Sequence, residues 1–338
     1  MRKTILTIAL LACTIATADA RTAIEKNAAS GETTAQKCAS AELTTWNGLY
    51  KLVAQVNGHD QEFIVDTGAA TVGLPEKIGR QMLADGVLSA KDSIGCQPTA
   101  YADGSVRDVP VFLVRDLTVA GVHIRNVEVT FNQSAPLLGM LALASLGTVE
   151  FEEGRLWLHE HKAGDRVKCL SREKFEKKKG VLTLLHDWWS KDSLQHGVTA
   201  KSFPLKYYRN VWQVEAQVNG CKLDFILDSG ASRVNVNAQV GRYLLEYDYL
   251  SEADCTGRFS TTAGGGRQAT GKRYNVKSLT LGGDAAEAGI SGNAGNAGMS
   301  GGVTLHDVEM NISPMRNAEN VLGMSALRKM QPFIISYE

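Results

Sequence analysis

The chain has 338 residues, 36 basic against 36 acidic side chains, 44% hydrophobic and 21% charged residues. That length allows about two domains at roughly 100–200 residues each, and the ordinary hydrophobic content excludes general disorder. A net charge of zero excludes a nucleic-acid binder working through a broad basic face.

The N-terminus reads as an export signal. Met1-Arg2-Lys3 is a short positive start, Thr4 to Thr17 is mostly apolar, and Ala18-Asp19-Ala20 supplies small residues at the −3 and −1 positions of a cleavage site after Ala20. Leu10-Leu11-Ala12-Cys13 also resembles a lipoprotein box, which would tether the chain through Cys13, although Leu11 departs from that pattern. Either route carries the chain across a membrane, which points to a bacterial periplasm or secretion. No later segment supplies the ~18 uninterrupted apolar residues of a spanning helix. Arg21 to Thr45 follows as an N-terminal extension. Of the six cysteines, Cys38, Cys96, Cys169, Cys221 and Cys255 lie beyond the signal. An odd number leaves at least one thiol unpaired even in an oxidising compartment. None of their spacings is CxxC, and His159 and His161 sit in a charged stretch, so neither a metal nor a cofactor is expected.

The chain repeats itself. Ala54-Gln55-Val56-Asn57-Gly58 returns as Ala216-Gln217-Val218-Asn219-Gly220, an offset of 162. The same offset carries Asp66-Thr67-Gly68-Ala69 onto Asp228-Ser229-Gly230-Ala231. Gly139-Met140 then pairs with Gly323-Met324 at an offset of 184, so the second copy is longer by 22 residues. The Gly/Ala/Ser/Asn tract Gly283 to Gly302 accounts for the excess and reads as a mobile surface loop. A repeat this long is a duplicated domain, not a solenoid unit. The copies are drawn at 46–161 and 205–338. Residues 162–204 are charged, contain Lys177-Lys178-Lys179 and have no repeat partner, so they read as a linker; Trp188-Trp189 within it is expected to pack on a lobe.

Each copy is mostly strand. Leu52 to Val56 and Glu62 to Val65 form a hairpin around Asn57-Gly58, the strongest short hairpin signal. A short helix is expected from Pro75 toward Leu83, ended by Asp85-Gly86. Val111 to Val114, Leu117 to Val119 and Val127 to Phe131 are further strands. Ala142 to Leu146 is one helical turn, and Phe333 to Tyr337 is the closing strand.

Two carboxylates stand out against this pattern. Phe63-Ile64-Val65 leads directly to Asp66, and Phe225-Ile226-Leu227 to Asp228. A buried strand rarely ends in a carboxylate unless polar partners surround it. The following Gly permits a turn whose N–H reaches the carboxylate, and the Thr or Ser hydroxyl offers another bond. A single such triplet is an ordinary turn; two at equal places in a duplicated domain can face each other across a two-fold axis. Carboxylates that close share a proton, so one acts as general base on a water while the other acts as acid. Ala69 and Ala231 follow the triplets and offer no hydroxyl to the charged form, which keeps the shared proton to higher pH.

At these residues the chain resembles the retropepsin-like aspartic proteases, and within them the bacterial periplasmic aspartyl proteases. The matching pieces are Phe63 to Ala69, Tyr101-Ala102-Asp103-Gly104-Ser105, Gly121 to Val127 and Leu137-Leu138-Gly139-Met140, then Phe225 to Ala231, Val308-Glu309-Met310 and Val321-Leu322-Gly323-Met324. The resemblance implies an all-β fold of two closed lobes related by internal duplication, each lobe giving one catalytic aspartate, Asp66 or Asp228. It also implies that Thr67 and Ser229 lock the two loops across the interface. Gly68 and Gly230 would permit their close approach, and Tyr101 and Gly104 would lie in a flap over the substrate. Ala263-Gly264-Gly265-Gly266, at the second flap position, has no Tyr. The implied partner is an extended polypeptide substrate, with no nucleic acid, and the implied active species is a monomeric pseudo-dimer. Two other arrangements use the same residues: a noncatalytic peptide-binding or scaffolding module on this fold, and lobes that pair between chains.

Overall fold

The computed structural model describes residues 38–100, 106–131, 133–188, 197–262, 268–282 and 302–337. The expected signal sequence, Tyr101, Gly104 and almost all of Gly283 to Gly302 lie outside them.

The described strands form two sheets, of thirteen and nine strands. In the first lobe, Leu49–Val56 and His59–Val65 pair antiparallel around the predicted turn, where Asn57 and Gly58 adopt φ of 48° and 87°. Tyr50, Leu52, Ala54 and Val56 alternate inward and are buried, as period-2 patterning requires. The strands read separately at Val111 to Val114 and Leu117 to Val119 are one continuous strand, Val106–Val119, which pairs with Ser93–Ala100 on one side and Val122–Phe131 on the other. The helix spans Glu76–Ala84, with Pro75 at its cap instead of its first turn. The expected helical turn is Met140–Ser145, starting two residues earlier than its pattern indicated.

The second lobe repeats this plan at the same offset. Val211–Val218 and Cys221–Leu227 form the equivalent hairpin around Asn219 and Gly220, with φ of 47° and 93°. Ala238–Glu246 is the equivalent helix. The duplication extends to side chains. Asn57 donates through Nδ2 to the Val87 carbonyl at 2.8 Å and accepts from the Asp116 amide at 3.1 Å. Asn219 does the same with Tyr249 at 2.7 Å and Ser278 at 2.9 Å. The long insertion replaces a two-residue turn: Val119 and Val122 flank Ala120-Gly121 in the first lobe, whereas Leu281 pairs with Val303 in the second.

Within 162–204, expected to be a linker, the described residues are folded. Arg166–Lys168 adds a parallel strand beside Val122–Phe131. The helix Arg172–Glu176 follows, and then Gly180–Trp188 and Gly197–Tyr208 pair as a hairpin. That hairpin lies at the heart of a sheet shared by both lobes, in the order Ala39–Glu42, Arg155–Leu158, Val149–Glu152, Phe333–Tyr337, Gly180–Trp188, Gly197–Tyr208. The charges that suggested a linker cluster between Lys162 and Lys179, before the hairpin, whereas Leu182, Thr183 and Leu184 within it are buried. The extension Arg21 to Thr45 is likewise ordered in its last part: Ala39–Glu42 forms the edge of this sheet and Thr44–Trp46 pairs with Leu49–Val56. The side chains of Trp188 and Trp189 lie outside what is described. Phe151 of the first lobe stacks on Phe333 of the closing strand at 4.7 Å, which seals the sheet's core.

The Asn57 and Asn219 bridges lead to a matched expectation. Replacing either with Ala removes two hydrogen bonds and places an L-residue with a Cβ but no polar side chain at positive φ, a loss of about 2–3 kcal/mol. Urea unfolding of Asn57→Ala and Asn219→Ala measures it, and the two losses should agree within about 1 kcal/mol.

Candidate active site

Asp66 and Asp228 each leave the end of a core strand into a loop whose path is set by the backbone. Ile64 and Val65 pair in parallel with Leu137 and Leu138, and the Asp66 amide donates to the Leu138 carbonyl at 3.0 Å. Ile226 and Leu227 pair in the same way with Val321 and Leu322, and the Asp228 amide donates to the Leu322 carbonyl at 3.1 Å. Beyond each pair the chain passes through a glycine. A Cβ on Gly139 would strike the carbonyls of Thr71 and Ala69, and one on Gly323 those of Arg233 and Ala231. The adjoining Met140 and Met324 amides donate to Ala69 and Ala231 at 2.7 and 2.8 Å. The equal places of these two glycines in the repeat are the sequence signal of what they hold.

The two loops are bonded crosswise. The Thr67 hydroxyl donates to the Leu227 carbonyl at 2.7 Å and accepts from the Ser229 amide at 2.9 Å. The Ser229 hydroxyl donates to the Val65 carbonyl at 2.7 Å and accepts from the Thr67 amide at 3.1 Å. Thr67 is 2% exposed and Ser229 is fully buried, so every one of these bonds is dry.

The carboxylates sit directly above. Asp66 Oδ1 accepts from the Gly68 and Ala69 amides at 2.9 and 3.0 Å, and Asp228 Oδ1 accepts from the Gly230 amide at 2.9 Å. The two carboxylates lie close enough to influence each other's protonation. Each glycine lies under the opposite carboxylate: a Cβ on Gly68 would come within 2.5–2.8 Å of the Asp228 carboxylate, and one on Gly230 would collide with that of Asp66. Burial raises the affinity of both groups for protons. At Asp228 the charge of Asp66 raises it further, well above the carboxylate range, while the loop amides pull both down. Both shifts favour a proton retained by the pair where isolated carboxylates are ionised.

Beside Asp228, Val211, Ile226 and Val321 form a small apolar cluster set apart from the main core, with Tyr208 and Ala231 packed on it. Ile226 is two residues before Asp228 and so shares its face of the strand. The alternation in Phe225 to Leu227 was legible, but this patch was not singled out. Among the described residues no group of His, Cys, Asp or Glu side chains could hold a metal ion.

Two closed β lobes, each presenting an Asp-Thr/Ser-Gly loop to the other, define an aspartic protease fold of the two-lobe type. The family described as "gag-polyprotein putative aspartyl protease" matches residues 52–145, and the family described as aspartyl protease matches residues 214–326. Among solved structures, a retropepsin-like aspartic protease from Rickettsia conorii is similar at 21% identity, over 36% of this chain and 98% of that one, with a TM-score of 0.29. No curated protein matches. The chain carries two aspartyl protease domains in tandem, one in each lobe.

Burial of the pair has a consequence for stability. Because their affinity for protons is raised on folding, the folded chain keeps a proton that the unfolded chain releases above about pH 4. Stability contributed by that proton is lost as pH rises from there through the pair's folded range. Asp228→Asn removes the titration, so the variant should exceed the parent at pH 7 by about 1–2 kcal/mol. The advantage should vanish near pH 4, and urea unfolding at the two pH values measures it. An equal advantage at both would mean that no proton is shared.

Proposed function

We propose that the chain is an aspartic endopeptidase in which Asp66 and Asp228 share a proton and activate one water. The observation that carries this reading is the crossed placement of the loops, each glycine lying against the opposite carboxylate while loop amides bond their own. The ionised carboxyl takes a proton from water as the oxygen attacks the peptide carbonyl, and the protonated carboxyl donates to the carbonyl oxygen. Collapse of the resulting diol returns the proton balance and delivers a proton to the leaving amine. Gly68 and Gly230 permit the approach of the carboxylates, while Thr67 and Ser229 hold the loops in register. Neither a metal nor a covalent intermediate is required by this chemistry.

The substrate is an extended polypeptide laid between the lobes as an added strand. The apolar wall of Val211, Ile226 and Val321 supports an apolar side chain near the scissile bond on the second-lobe side. Both aspartates come from one chain, which supports a monomer as the active species.

Peptide-library cleavage tests the reading. The protein should cut internal bonds, and Asp66→Asn and Asp228→Asn should each abolish nearly all turnover, the double variant adding little because the two act as a unit. Substantial cleavage by either single variant overturns the shared site, and peptide binding without turnover in the parent would make the chain a binding module instead. Activity should sediment with the monomer.

We further propose export to the periplasm with cleavage after Ala20. N-terminal sequencing of protein recovered from the periplasm should begin at Arg21. A start at Met1 contradicts this, and a chain beginning at a lipidated Cys13 would make it a tethered protein.

A further inference from the structure

The strand Ser93–Ala100 leads into Tyr101 and is an edge strand, paired on one side only with Val106–Val119. Little of it is packed: Ile94 is 53% exposed and Cys96 is exposed as well. Its equivalent in the second lobe, Cys255–Thr262, is also an edge strand but is pinned from within. Phe259 there is buried, and its ring lies over Gly271, where a Cβ would come within 2.6 Å. In the first lobe the matching pair is Gln97 and Val109, so the internal pin is missing and a polar side chain stands in its place.

The partner of Gln97 comes from outside the lobe. Arg172, first residue of the helix Arg172–Glu176, donates through Nη2 to Gln97 Oε1 at 2.5 Å, and the same nitrogen lies 3.6 Å from Glu128 Oε2. In the second lobe the residue equivalent to Glu128 is Glu309, which pairs with Arg233 and Arg273 of its own lobe. One helical turn after Arg172, Phe175 is fully buried in an aromatic box of the second lobe and shared sheet, with ring centroids 5.2 Å from Trp212 and 6.1 Å from Tyr207 and Tyr337. Residues three apart share a helix face, so one short rigid element touches both lobes.

We propose that Arg172 is a positioning residue and that this helix is a strut: Phe175 anchors it in the second lobe, and the Arg172 guanidinium holds the first lobe's strand Ser93–Ala100 through Gln97 and Glu128. The placement of that strand then depends on how the two lobes are set, whereas Cys255–Thr262 depends on its own core alone. This rests on the proteolytic reading for its effect on substrate but not for the coupling itself.

Hydrogen exchange in the Asp66→Asn background, where turnover plays no part, tests the coupling. Arg172→Ala and Phe175→Leu should each speed exchange at residues 94–99 about five- to tenfold, with exchange at residues 256–261 unchanged. Phe175 packs on Tyr207, Trp212 and Tyr337, so an effect of its substitution on that strand passes through the strut. If Phe175→Leu does not fold, Phe175→Met takes its place. In the otherwise native chain, Arg172→Ala should raise KM about tenfold with kcat changed less than about twofold, the signature of lost substrate positioning. Faster exchange with Arg172→Ala alone, or equal loosening of both strands, overturns the proposal. Absence of cleavage by the parent would refute the proteolytic reading while leaving the exchange comparison decisive for the strut.

Discussion

The molecule depends on four dry hydrogen bonds made by two hydroxyls. Thr67 and Ser229 each donate to a carbonyl of the opposite strand and accept from the amide of the opposite loop. A hydroxyl is the smallest group that can do both at once. Because these atoms are excluded from water, removing one partner leaves a buried amide and a buried carbonyl unpaired, a loss larger than that of the bond itself. The loops can therefore meet in one register only, and that register stacks Gly68 under Asp228 and Gly230 under Asp66. The glycines follow from the bonds: no side chain fits where the opposite carboxylate has to be.

A contact this small cannot by itself hold two lobes together. The shared sheet supplies the rest of the interface, interleaving strands from before, within and between the two copies. Phe151 on Phe333 and the box of Phe175, Trp212 and Tyr337 fill its core. On the first-lobe side, Tyr50 donates to Gln331 at 2.8 Å, with Arg328 over its ring at 5.1 Å. Tyr50 and Trp212 hold the same place in the repeat, yet one reaches across by a polar tip and the other is enclosed by aromatic rings. Duplication set the frame; the residues at the joint have diverged to fit two different neighbours.

The same packing sets the electrostatics. Burial between the lobes disfavours two negative charges, and the loop amides partly offset this by bonding the charged form. The balance favours retention of a proton by the pair, the state that the proposed acid–base chemistry requires. Greater exposure to water would favour ionisation, and loss of the amide bonds would favour the neutral form.

Much of this was legible in the sequence because it is local or repeated. The Asn57-Gly58 and Asn219-Gly220 turns, the inward alternation after Leu49, the strand at Phe333 and the two acid loops are short-range patterns, and the equal spacing of the copies paired Asp66 with Asp228. What the sequence could not show was any partner with no repeat counterpart. Residues 162–204 looked like a linker because the charges between Lys162 and Lys179 dominate the stretch and it has no repeat partner, and only its neighbours in the shared sheet place the apolar run after Gly180 as a strand. Arg172 read as one more charge in that stretch, and Gln97 as one more polar residue beside the flap; nothing along the chain joins them. Local chemistry determined the loops and their acids. Tertiary packing alone decided which distant groups meet, because contacts between residues far apart in sequence leave no period to read.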